Sequence, residues 1–277
     1  MTTTISADPT LALERSRPDT LPLTGVIASE ATKFRSVRST WWTLLCTAAM
    51  MVGFGVLFCY AYVARFDRLD ARERLLFDPT LHSLRGLFLA QLAVGVLGVL
   101  IVTNEYATGM IRNTFAAVPQ RSAVLAAKLV VFSAAALVVT TVSSFAAFLV
   151  GQSILSQKHV QASLSDPGVL RAVIGAALYL VGIGVLGVGL GVLLRRTAGA
   201  IATLVGLILV LPILAQALPS PWNTDVAKLL PDGAGQAILQ VHHTTDSLSP
   251  LIGFALFCGY LAVILTAAFI TLARRDA

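Results

Sequence analysis

From Trp41 to Ala64 the chain carries no Asp, Glu, Lys, Arg or His, and comparable apolar runs recur along its length. They fall at about 41–64, 86–103, 125–154, 169–194, 198–218 and 251–272, with charge crowded between them. A helix needs roughly 20 such residues to cross the hydrocarbon core of a bilayer. A helix is also one of only two structures that satisfy their own backbone there. The pattern therefore predicts an all-α, polytopic membrane protein with six transmembrane helices. Composition agrees: 56% of the 277 residues are hydrophobic and only 12% are charged, about half the charge of a soluble domain.

The charged residues place the chain further. The net charge is +6, but the basic residues sit at the ends of apolar runs, where they meet lipid headgroups. A nucleic-acid partner, which calls for a basic face on a soluble domain, is not expected. Six spans put both termini on one side. Lys33, Arg35, Arg38, Arg112, Arg121, Lys128, Arg195, Arg196, Arg274 and Arg275 flank that side, against Arg65, Arg68, Arg72, Arg74, Arg85, Lys158, Arg171 and Lys228 on the other. Ten against eight leans toward cytoplasmic termini, and the expected location is the plasma membrane.

Outside the spans, residues 1–20 lack the apolar core of a signal peptide and read as a disordered tail. Residues 21–40 alternate apolar and polar positions at helical spacing: Leu23, Val26, Ile27, Ala31, Phe34 and Val37 on one side, Ser29, Glu30, Lys33, Arg35, Ser36 and Arg38 on the other, with Trp41 at the exit. Such a helix lies in a headgroup layer or packs on a partner. The loop from Arg65 to Asp78 alternates charge, and Asp70 and Arg74 have favourable i,i+4 spacing for a solvated helix.

Catalytic machinery is not expected. Gly182, Gly184 and Gly187 spell GxGxxG, but in mid-span rather than at the strand-to-helix turn a dinucleotide needs. Gly187 and Gly191 instead form a small-residue face for close helix packing. No lysine follows the glycine of a P-loop, His242 and His243 have no metal-site geometry with Asp246, and Cys46, Cys59 and Cys258 read as small buried hydrophobes. The span interiors are expected to hold no ionisable side chain, the ordinary mark of a pump or intramembrane enzyme. No cofactor or metal is implied.

The remaining feature is the polar segment 104–121 after the second span. Tyr106, Met110, Ile111, Phe115 and Val118 fall near one helical face, Glu105 lies in a candidate first turn, and Pro119 stops the helix. Glu105, Gly109, Ile111, Arg112, Pro119 and Arg121 together resemble the cytoplasmic coupling segment of type-2 ATP-binding-cassette (ABC) transporter permeases, which also follows the second of six spans. The resemblance covers roughly residues 25–275, and the strong arginine bias is similar to actinobacterial members. It makes residues 21–40 an elbow helix, with Lys33, Phe34, Arg35, Arg38 and Trp41 at the membrane interface. It implies a permease subunit paired with a second permease copy or homologue, each docked on a separate ATPase that pushes on the coupling helix. It further implies export of a hydrophobic or amphiphilic cargo such as a drug, antibiotic or lipid. A non-transporting membrane scaffold or assembly subunit would use the same spans and stays open at this point.

Overall fold

The computed structural model describes residues 23–118, 120–220, 222–241 and 248–274. The 1–20 tail, Pro119, His242, His243, Asp246 and Arg275 lie outside them. The described residues are all-helical, with six helices among them long and apolar enough to cross a membrane. In order they are α2 (Arg38–Arg65), α5 (Leu87–Ala107), α7 (Arg121–Leu155), α8 (Val169–Leu194), α9 (Thr197–Gln216) and α12 (Pro250–Arg274). Ahead of them runs α1 (Leu23–Ser36), and between the second and third lies α6 (Met110–Ala117). The connections between the first and second spans and between the fifth and sixth carry the short helices α3 (Ala71–Leu75), α4 (Pro79–Ser83), α10 (Trp222–Leu229) and α11 (Pro231–Gln236).

The fourth span is the centre. In α8, 78% of the apolar window is buried, against 22% for α9 and 17% for α12, so those two line the outside of the bundle. Glycine explains how α8 takes that place. A Cβ on Gly187 would lie 2.2 Å from the Gly95 carbonyl oxygen, and one on Gly98 would lie 2.0 Å from that of Gly184. The α5 and α8 backbones therefore touch directly, and Gly191 lies against Val99 on the same seam. Outward the bundle is greasy: Trp42, Leu45, Val138, Val142, Leu251 and Val263 are all exposed, a surface suited to acyl chains rather than water.

The fifth span accommodates a proline. Pro212 offers no N–H to the turn before it, and residues Gly206–Val210 widen into a π-helical turn in which Leu211 N–H reaches the Gly206 carbonyl. The helix continues past Pro212 to Gln216.

The loops opposite α1 fold back into the bundle. Ser83 of α4 is fully buried, and Gln152 of α7 donates from Nε2 to Ser83 Oγ at 2.9 Å and to the Pro79 carbonyl at 3.0 Å. In the longer loop, the Tyr179 hydroxyl inside α8 sits 2.8 Å from Asp232 Oδ1 of α11 and 2.5 Å from Gln91 Oε1 of α5. Gln236 Nε2 donates to the same Asp232 oxygen at 2.7 Å. Burial holds the Asp232 carboxyl above the usual aspartate value, against the opposing pull of the hydrogen bonds from Tyr179 and Gln236.

Two sequence expectations give way, and a third, the solvated helix in the 65–78 loop, stands as the exposed α3. Residues 21–40 do not form one helix: backbone extended at Val37 (φ −85°, ψ 104°) ends α1, so Arg38 and Trp41 begin the first span. The 65–78 loop is exposed, but Arg74 does not bridge to Asp70; its guanidinium donates to the Phe66 carbonyl at 2.9 Å and covers the Phe66 ring at 4.6 Å. The spans are also not free of ionisable groups. Glu105 and Lys128 lie buried within α5 and α7, and Arg171 near the start of α8 donates to the Gln240 carbonyl.

Candidate functional site

At the end of the bundle where α1 packs, four charged side chains converge. Val26, Glu30 and Phe34 recur every four residues and make the buried stripe of α1. Val26 packs with Val124 and Ala127 of α7. This fit places Glu30, only 5% exposed, inside the protein rather than on the wet face where its polarity would put it. Lys128, seven residues into α7, lies opposite, 6% exposed. Its ammonium reaches Glu30 Oε2 at 2.7 Å and Glu105 Oε1 at 2.6 Å. Lys33 completes the group: Nζ is 2.7 Å from Glu30 Oε1, 3.6 Å from Glu105 Oε1 and 3.3 Å from Thr114 Oγ1 of α6.

Two carboxylates and two ammoniums balance, which is the condition for burying charge at all. The Lys33 ammonium, half out in solvent, would be lowered by burial, but hydrogen bonding to Glu30 and the field of Glu105 outweigh that and hold it above the ordinary lysine value. One atom is left over: Glu105 Oε2 is buried and has no hydrogen-bond partner among the described residues.

The geometry corrects the reading of Glu105. The residue does not open the short amphipathic helix; it sits in the last turn of α5, which runs on to Ala107. Gly109 at φ +71° then turns the chain, and α6 starts at Met110. A side chain at Gly109 would meet open space, so glycine is required there by backbone conformation and not by room. Ile111 is buried and anchors α6, Arg112 and Met110 are exposed, and Arg121 opens α7 with its guanidinium 5.3 Å over the Phe115 ring.

Of the residues singled out in sequence, Lys33 and Glu105 meet in this cluster, while Phe34 and Trp41 meet at the α1–α2 corner, ring centroids 6.2 Å apart and nearly perpendicular. Trp41 Nε1 also donates to the Arg35 carbonyl at 3.3 Å. The Arg35, Arg38 and Arg112 side chains remain exposed and apart from the cluster. No protein-family model matches the chain, and no curated protein matches it significantly.

The two residues the sequence reading did not place here are Glu30 and Lys128. Each carried a signal: Glu30 interrupts an i, i+4, i+8 apolar stripe, and Lys128 interrupts an otherwise apolar span. A lone charge in either setting requires a partner. Among the described residues, no group of three or more His, Cys, Asp or Glu could hold a metal ion. The cluster joins α1, α5, α6 and α7 through charge and hydrogen bonds, so a displacement of any one of them is resisted by the other three.

Proposed function

We propose that this protein is the membrane-spanning permease subunit of an ABC transporter, exporting a hydrophobic or amphiphilic substrate with ATP hydrolysed by a separate ATPase subunit. The observation that carries the reading is α6: a short helix between the second and third spans, seated by buried Ile111, presenting Met110 and Arg112 outward and tied through Thr114 and Lys33 to the buried cluster. A cytoplasmic ATPase docking on that exposed face would push α6, and the cluster would pass the push to α1, α5 and α7 together. The Glu105-to-Arg121 pattern and the six-span order support the same reading, as does the exposed apolar flank of α9 and α12, which suits lipid and a second permease copy.

The test is purification in mild detergent followed by ATPase assay in liposomes. Wild-type protein is expected to co-elute with an ATPase whose activity responds to reconstitution. Arg112→Glu, an exposed change that leaves the fold intact, is expected to lower that activity several-fold or more. An abundant partner without ATPase activity, or full coupling in Arg112→Glu, would overturn the proposal.

A further inference from the structure

A cavity of about 480 Å³ opens beside the charged cluster, between α1, the first three spans and α6, within the size range of small-molecule sites. Its lining is graded. Glu30, Lys33, Asn104, Glu105 and Lys128 make its polar end, whereas Leu97, Leu100 and Ile101 of α5 continue along the wall. Leu97 precedes Ala107, the end of α5, by ten residues, which at the rise of an α-helix is about 15 Å further into the hydrocarbon. A charged mouth at headgroup depth and an apolar wall beneath it fit an amphiphile standing along the membrane normal.

The polar end also defines the headgroup. Glu105 lines the cavity and has one carboxylate oxygen without a hydrogen-bond partner, buried where such an atom is costly. Oε1 is held by Lys128 at 2.6 Å, so Oε2 is the oxygen left to accept from a donor that enters the cavity. Lys33, partly exposed, offers a positive counterpart on the same wall. A primary ammonium next to a phosphate matches this pair: the ammonium donates to Glu105 and the phosphate accepts from Lys33. A quaternary ammonium has no N–H to give. We propose that this cavity seats an ethanolamine-type phospholipid from the adjoining leaflet, headgroup on Glu105 and Lys33 and one acyl chain along Leu97, Leu100 and Ile101. The placement follows from the helix ends and does not rest on the transporter reading.

The experiment is native mass spectrometry of the full chain released from nanodiscs containing equal phosphatidylethanolamine, phosphatidylcholine and phosphatidylglycerol. Wild-type protein is expected to retain phosphatidylethanolamine roughly tenfold over phosphatidylcholine, the scale of one charge-assisted hydrogen bond. Leu100→Trp fills the cavity from α5 and is expected to abolish the preference while melting within a few degrees of wild type when lipid-free. Thr43→Phe fills it from α2 and serves if Leu100→Trp does not accumulate. Equal retention of the three lipids, preference for phosphatidylglycerol, or a preference unchanged in the filled variants overturns the proposal. Displacement of the lipid by millimolar phosphoethanolamine would assign the site to a soluble amine and overturn the lipid source.

Discussion

The Lys128 ammonium meets the Glu105 carboxylate at 2.6 Å, with each side chain only 6% exposed. The two residues belong to helices separated by α6, and Glu30 of α1 closes the pair from the other side at 2.7 Å. A buried charge pair adds little net stability against a well-packed apolar alternative, but removing one member leaves the other stranded. That asymmetry governs what substitutions here should do.

Lys128→Met is expected to destabilise the protein by about 3–5 kcal/mol, because two buried carboxylates then share the single, partly exposed Lys33 ammonium. Glu30→Gln and Glu105→Gln added to Lys128→Met are expected to recover most of that loss. Equilibrium unfolding in mixed detergent and dodecyl sulfate measures both. For the same reason Glu105→Ala tests folding before it tests coupling, and Arg112→Glu is the cleaner probe of the outer face of α6.

At the seam of the second and fourth spans, a methyl group on Gly98 or Gly187 would overlap a facing carbonyl oxygen. Gly98→Ala and Gly187→Ala are each expected to cost about 1–3 kcal/mol of stability. Gly259→Ala, on α12 with nothing near its added carbon, should be neutral or slightly stabilising in the same assay.

The turn at Gly109 supplies a conformational test without a packing one. Its φ of +71° lies in the left-handed region and its surroundings are open. Gly109→Ala is expected to cost about 1–2 kcal/mol, and Gly109→Asn less, since Asn visits that region more readily. Thermal unfolding of the two variants side by side gives the difference.

The Asp232 carboxyl is held above its ordinary value chiefly by burial. A group raised on folding contributes stability that is full below its unfolded value and is lost as pH rises through the folded one. Wild-type melting temperature is therefore expected to fall, relative to Asp232→Asn, as pH climbs from the ordinary aspartate range upward. Parallel curves for the two proteins would contradict this.

The spans were legible in sequence because charge-free windows are a local signal; the ends differ from the structure by a few residues. Corners were harder. Val37 breaks the run from α1 into α2 with no proline or glycine to announce it, and the turn at Gly109 separates Glu105 from the helix that follows it in sequence. Long-range pairing was hardest: Glu30 and Lys128 are 98 positions apart, and nothing local says that two charges breaking two apolar patterns answer each other. The return of α11 against Tyr179 was hidden for the same reason, since a loop containing Pro231, Gly233 and Gly235 reads as a connection and not as part of the core.

The proposed permease role requires α6 to face the cytosol, the side on which an ATPase docks. A single cysteine at the exposed Asn113 position, in a chain with Cys46, Cys59 and Cys258 replaced by alanine, can be treated with a membrane-impermeant maleimide. The expected result is no labelling in intact cells and full labelling once the membrane is opened. Full labelling in intact cells would put α6 on the outer face and contradict the account.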